Sequence, residues 1–183
     1  MTKNNPRRLS RKRRTKKQLM KSRIRSSANP THTTVGNRIF LVHGHDEVAL
    51  LETARFLEKL GQEPIILREQ SDRGLTIIEK FESYADVTYA VVLLTQDDHG
   101  GISTATSVEQ NPRPRQNVIF ELGFFIGRLG RNRVCALYRP GVEIPSNYVG
   151  VLYQEYDDNG GWCLKLAREL NAAGLSVNLN NVL

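Results

Sequence analysis

Regular alternation of apolar and polar positions begins at Arg38. RIFLVHG is a short apolar run closed by glycine, the pattern of a buried strand. DEVALLETARFLEKLG follows, with Val48, Leu51, Ala54, Leu57 and Leu60 mostly three residues apart and Gly61 as a stop, and predicts a helix whose apolar face they form. EPIILRE predicts a second strand. LTIIEKFESYA predicts a helix with Ile77, Ile78 and Phe81 on one side. VTYAVVLLT is the most apolar and β-branched stretch, a third strand expected to be buried on both faces as parallel strands are. Segment 96–114, QDDHGGISTATSVEQNPRP, has no period and predicts a long loop without structure, of the kind that is usually functional or mobile. A helix over 117–129, a strand in RVCALYR, another in GVLYQEY and a last helix in GWCLKLARELNAAG, ending on Gly174, complete the pattern, with no internal repeat.

Strands alternating with helices imply right-handed βαβ units and a parallel sheet covered on both faces. With the first strand central, five strands in the order 2-1-3-4-5 place the topological switch between the first and third, and ligands of such sheets bind outside the carboxyl ends of the strands there. Those ends are His43-Gly44-His45-Asp46 and Thr95-Gln96-Asp97-Asp98. The 117–129 helix leaves from the second of these loops, so its first half should face the same crevice.

Charge changes the picture at the N-terminus. Residues 1–25 hold twelve Lys or Arg and no acid, while the rest holds fourteen against nineteen Asp or Glu; the tail is +12, the remainder −5, and the chain +7. Residues 1–37 are basic and then Ser/Thr/Asn-rich, without apolar periodicity, and are expected to be a disordered tail. Such a tail is either a solvated appendage or an arm for non-specific contact with nucleic acid or an anionic surface. No aromatic residue interleaves its charges, so base readout is not expected. Residues 38–183, about 145 residues, are enough for one core. Cys135 and Cys163 make no CxxC or disulfide framework, which suits a reducing cytoplasm. No apolar run approaches the ~20 residues of a membrane span.

The unexpected residue is Glu121, in RQNVIFELGFFIGRLGR. At 100° per residue Val118, Ile119, Leu122, Phe125, Ile126 and Leu129 fall in one arc, the core face. Gly123 and Gly127 lie together elsewhere, where a neighbouring backbone could approach. Glu121 sits at the border of the core arc, above Asn117, and should be half-buried. It reads either as an edge residue, paired with Arg128 or complementing the positive helix start, or as a working carboxylate. One carboxylate at a nucleotide crevice has a suitable task. Ordinary glycoside hydrolysis needs two, because an alkoxide leaving group must be protonated. Nicotinamide leaves NAD+ as a neutral base, so a single carboxylate that binds ribose hydroxyls and stabilises oxocarbenium-like charge is sufficient. Around it, Gly44 allows a nucleotide close to the backbone or simply makes a turn, with Asp46 capping the next helix. Asp97 and Asp98 suit ribose hydroxyls or a solvated loop, and Arg113 and Arg115 suit a pyrophosphate or the surface. HGHD fits no standard zinc spacing and has no Cys partner, so no metal is expected.

RIFLVHGHDE, RGLTIIEKFE, AVVLLTQDDHGG, RPRQNVIFELGFFIGRLGRNRV and IPSNYVGVLYQEYDDNGGW together resemble the bacterial TIR-like domains of predicted nucleotide-binding proteins, which also occur fused to STING and other anti-phage effector modules. The resemblance covers about residues 38–175. It implies an α/β, flavodoxin-like TIR fold of three layers around a five-stranded parallel sheet. It implies an NAD+ glycohydrolase, with NAD+ as substrate rather than cofactor, giving nicotinamide and ADP-ribose or a cyclised form, switched on by self-association of TIR domains. Glu121 falls on the catalytic glutamate. His43, Gly44, His45, Asp46, Arg73, Asp97, Asp98, Arg115 and Asn117 are the expected substrate contacts, and Glu69 to Gly74 matches the loop that gates the site. No sensor domain is recognisable beside the TIR-like stretch. A non-catalytic nucleotide-binding scaffold and a nucleoside deoxyribosyltransferase-like enzyme stay open as alternatives.

Overall fold

The structure is a computed structural model. It describes residues 36–70, 74–104, 106, 109–145 and 150–182, all within a unit that runs from Thr34 to Leu183. The basic tail, Arg73 with the rest of 71–73, and 146–149 lie outside the described residues.

Five strands build the main sheet: β1 (Arg38–Val42), β2 (Glu63–Ile65), β3 (Tyr89–Leu94), β6 (Val134–Tyr138) and β7 (Leu152–Glu155). All neighbours are parallel and the order is β2-β1-β3-β6-β7. Counting only the strands of this sheet, that is the expected 2-1-3-4-5, with the switch between β1 and β3. Four helices cover it: α1 (Glu47–Lys59), α2 (Ile77–Tyr84), α3 (Gln116–Leu129) and α4 (Gly161–Ala172).

Successive strand residues point to opposite faces, and the two cores follow that alternation. Ile39, Leu41, Tyr89, Val91, Leu93, Cys135 and Leu137 pack with α1 and α4. Phe40, Val42, Ala90, Val92, Leu94, Val134 and Ala136 pack with α2 and α3. All six residues of β3 are buried, as expected of a central parallel strand.

Four sequence expectations are corrected. Segment 96–114 contains a two-stranded antiparallel hairpin, β4 (Asp98–Gly100) with β5 (Asn111–Arg113), rather than a loop without structure. The second strand stops at Ile65, and Leu67–Glu69 turn into a 3-10 helix. In α1 the buried face is Ala49, Leu50, Thr53, Ala54, Phe56 and Leu57, while Val48 and Leu51 are exposed. A strict three-residue spacing slips back ~60° per step, so Val48 through Leu60 cannot share one face. At Gly127 an added Cβ would meet nothing within 4 Å, so no backbone approaches there.

Candidate active site

The site is assembled by an aromatic knot. Phe40 of β1 lies 4.7 Å from Phe125 of α3 and 5.4 Å from Phe81 of α2, and Phe81 lies 4.7 Å from Phe124 (ring centroids). These are tilted and edge-on contacts of the favourable kind. They fix α2 and α3 against β1, and the neighbours of the knot in sequence and along the helix are then brought together. Lys80 precedes Phe81, and Glu121 sits one turn before Phe124 and Phe125. A cavity of about 250 Å³ is lined by Phe40, Leu41, His43, Leu67, Arg68, Lys80 and Glu121.

Glu121 is half-buried, as the helical arc required. Burial pushes its pKa up to about 7, against a smaller opposing pull from the Arg115 guanidinium. Arg128 does not pair with it: its Nε donates to the Ala85 carbonyl at 3.0 Å. Arg115 is the N-cap residue of α3 and makes no side-chain capping bond. His43, at the end of β1, is held below the ordinary histidine pKa, first by burial, with Arg68 adding to it; its ring Nδ1 lies 2.9 Å from the Gly44 carbonyl. Arg68 donates both terminal nitrogens to the two carboxylate oxygens of Glu47, in the first turn of α1. This ion pair ties the exit of β2 to the start of α1 beside the cavity, and it lowers the Glu47 pKa.

The loop after β1 divides this cavity from a second one. Asp46 caps α1, accepting from the Ala49 N–H at 2.9 Å. Asp97 is turned inward, its side chain only 2% exposed; it accepts from the His45 N–H at 2.6 Å and from the Thr95 hydroxyl at 2.9 Å. A Cβ on Gly44 would collide with that carboxylate. Asp97 therefore acts as a tie between the two strand ends, and Gly44 is required for the close approach. Beyond this tie lies a crevice of about 570 Å³, lined by His45, Asp46, Thr95, Gln96, Asp97, Arg139, Pro140 and Asp158. Arg139 ends β6. Its Nε is 3.2 Å from Asp46 Oδ2, its Nη1 is 3.0 Å from Asp158 Oδ1, and its guanidinium carbon is 4.4 Å from the centre of the Tyr156 ring. Tyr156 stacks in turn on Trp162 at 4.7 Å.

The expected site residues are thus distributed. Glu121 and His43 share one cavity, and His45, Asp46 and Asp97 line the other. Asp98 lies on the hairpin, in a third crevice of about 730 Å³ with Arg113 and Glu143. Arg113 is engaged there by Glu143, with Nε 2.7 Å and Nη2 3.1 Å from its carboxylate. Asn117 is exposed on the first turn of α3. Sequence reasoning missed Lys80, a charged residue only 8% exposed, together with Arg68 and Arg139. For Arg139 a signal was present, since it stands at the carboxyl end of a central strand. For Lys80 there was none, because a lysine in an amphipathic helix ordinarily reads as solvated.

Comparison with known proteins shows the family to which this fold belongs. The family model for the TIR domain of CAP12/Pycsar effector proteins matches residues 38–158. The uncharacterized protein YuaY of Escherichia coli (strain K12) is 49% identical over 150 residues, covering 81% of this chain and 50% of that protein. Protein tirC of Dictyostelium discoideum is 30% identical over 131 residues, 67% of this chain and 65% of that protein. The Pycsar effector protein BcPycTIR of Burkholderia cepacia is 42% identical over 78 residues, 38% of this chain and 24% of that protein. The chain thus spans half of the first of these relatives and a smaller part of the last.

Proposed function

This chain belongs to the TIR domain family of CAP12 and Pycsar effector proteins, and we propose that it is an NAD+ glycohydrolase acting in anti-phage defence. The observation that supports this most is Glu121: one half-buried carboxyl group, its pKa raised to about 7, in a small cavity beside the carboxyl ends of the strands. The bond from ribose C1′ to the nicotinamide nitrogen breaks with its electron pair going to the ring, which leaves as a neutral base. The ribose is left with oxocarbenium-like charge, which the Glu121 carboxylate opposes across a short, partly desolvated gap. Water attacks C1′, losing a proton, and ADP-ribose results; an internal nucleophile in place of water gives a cyclised product. No general acid is needed, which suits a cavity whose one carboxyl group among the described lining residues is Glu121. His43, neutral at pH 7 because burial lowers its pKa, adds polarity without adding positive charge beside the developing cation.

Self-association through TIR domains is the proposed switch, with the gating loop 69–74 as the element it acts on. Among the described residues no helix is long and apolar enough to cross a membrane. The test is nicotinamide release from NAD+ by concentrated protein, with Glu121→Gln as the control. No release from the wild type at any concentration or degree of assembly would overturn the proposal.

A further inference from the structure

We propose that the crevice over Arg139 is the subsite for the adenosine end of the dinucleotide, the half on which Glu121 does not act; the inference rests on the NAD+ reading above. Volume is the first argument. The Glu121 cavity, at about 250 Å³, is smaller than the ~300–1,000 Å³ of pockets that enclose a whole ligand. It accommodates one base and its sugar, and the rest of the molecule must lie in an adjoining concavity.

Position chooses which one. The hairpin crevice is lined from α3 by Gln116 and Ile119. Ile119 is two residues from Glu121 and so ~200° around the helix from it; that crevice opens on another side. The Arg139 crevice is next to the Glu121 cavity. His43 lines one and His45 lines the other, and two residues of chain span at most ~7 Å. The crevice also lies at the divergence of β1 and β3, where open parallel sheets bind their ligands. A groove of about 620 Å³ continues it, sharing Arg139 and Asp158 and running on to Tyr156 and Trp162. Gly44, held against Asp97, is a rigid sill between the two chambers.

Chemistry decides which half of the substrate lies there. Arg139 is oriented before any ligand arrives, by Asp46, Asp158 and the Tyr156 ring, and preorganised groups bind without an ordering cost. The Asp158 side chain is 94% exposed and that of His45 65%. These acceptors suit the hydroxyls of a ribose and the amino group of a purine. Three carboxylates, Asp46, Asp97 and Asp158, oppose phosphate in the crevice itself, so the pyrophosphate is placed at the sill.

Asp158→Ala and His45→Ala are exposed changes that leave the fold intact, and two readouts test the subsite. The first is the preference for NAD+ over nicotinamide mononucleotide, which lacks the adenosine and one phosphate, measured as the ratio of kcat/KM values in each variant against the wild type. The second is adenosine binding to the Glu121→Gln protein, measured by saturation-transfer NMR. Asp158→Ala is expected to reduce the preference about tenfold, the size of one hydrogen bond to a charged group, and to weaken adenosine binding in the Glu121→Gln background. If both variants retain the wild-type preference and adenosine binding, the subsite is overturned. If the wild type releases nicotinamide from neither substrate but binds adenosine in an Asp158-dependent way, the cleavage reading falls and the subsite stands. If it neither cleaves nor binds adenosine, both fall.

Discussion

Glu121 and Lys80 share one cavity although they come from different helices, α3 and α2, and the rings of Phe81, Phe124 and Phe125 are what bring those helices together. The arrangement places a carboxyl group of raised pKa and a buried lysine in the same small space, and several consequences can be measured.

Glu121→Gln keeps the shape of the side chain and removes its charge. Nicotinamide release is expected to fall at least ~100-fold, the scale of losing one preorganised electrostatic stabiliser. The circular dichroism spectrum should not change. Full activity in this variant would exclude the carboxylate as the stabilising group.

The same residue sets a pH dependence. With the Glu121 pKa at about 7, the ionised form that opposes the developing cation is gained as pH rises through 7, so cleavage should rise with a midpoint near there. Stability should move the other way. A pKa raised in the folded state gives a contribution that is present below the unfolded carboxyl value and is lost as pH rises through the folded one. Glu121→Gln should therefore be more stable than the wild type at pH 8, by on the order of 3 kcal/mol or less, and about equally stable at pH 4.5. Melting curves of both proteins across that range check it.

Asp97 should act on stability as well as on activity. Its removal leaves the His45 N–H without its acceptor and unties the ends of β1 and β3, a loss of about 1–3 kcal/mol. Urea denaturation of Asp97→Ala should show it, and Gly44→Ala, which forces a Cβ against the same carboxylate, should shift the midpoint in the same direction. An Asp97→Ala protein as stable as the wild type but with a raised KM would instead make Asp97 a direct ligand of the ribose.

If assembly completes the site, specific activity should rise faster than linearly with protein concentration, and changes at Asp72 or Arg73 should suppress the rise. Constant specific activity down to dilute monomer, with sedimentation confirming the monomer, would show that one chain is sufficient.

Deleting residues 1–25, which carry a charge of +12, should leave NAD+ cleavage alone and abolish retention on nucleic acid or anionic vesicles. Retention of the full chain should weaken steeply with salt, as counterion release requires. Equal binding by the two proteins at low salt would make the tail a solvated appendage.

The sheet was legible because β1, β3 and β6 are apolar runs between turn signals, and β3 is apolar on both faces. Glu121 was legible as a half-buried position because α3 has a clear 3.6-residue period. The hairpin was not. Asp98-His99-Gly100 and Asn111-Pro112-Arg113 hold no β-branched residue and no alternation, and what pairs them is tertiary: the Asp97 N–H donates to the Arg113 carbonyl at 3.1 Å and Arg113 is anchored on Glu143. The buried face of α1 was misread because both exposed and buried positions are apolar. The division of the expected contacts between two chambers was illegible for a further reason. It depends on the carboxylate of Asp97 turning inward, and sequence pattern carries no information about which way a loop carboxylate faces.

The strict alternation along β3 has a consequence for how this chain can vary. Among the described residues, Val91 and Leu93 belong to the core that packs with α1 and α4, and Val92 and Leu94 to the core that packs with α2 and α3. Stability effects of substitutions on opposite faces should therefore add, while those within one face should couple, as contacting residues do. Compensating changes among descendants of this sequence should fall into two nearly independent sets, one for each side of the sheet. The side away from Glu121 varies independently of the reacting carboxylate, constrained by folding and, where Tyr156 and Trp162 line the groove beside Arg139, by what that groove holds.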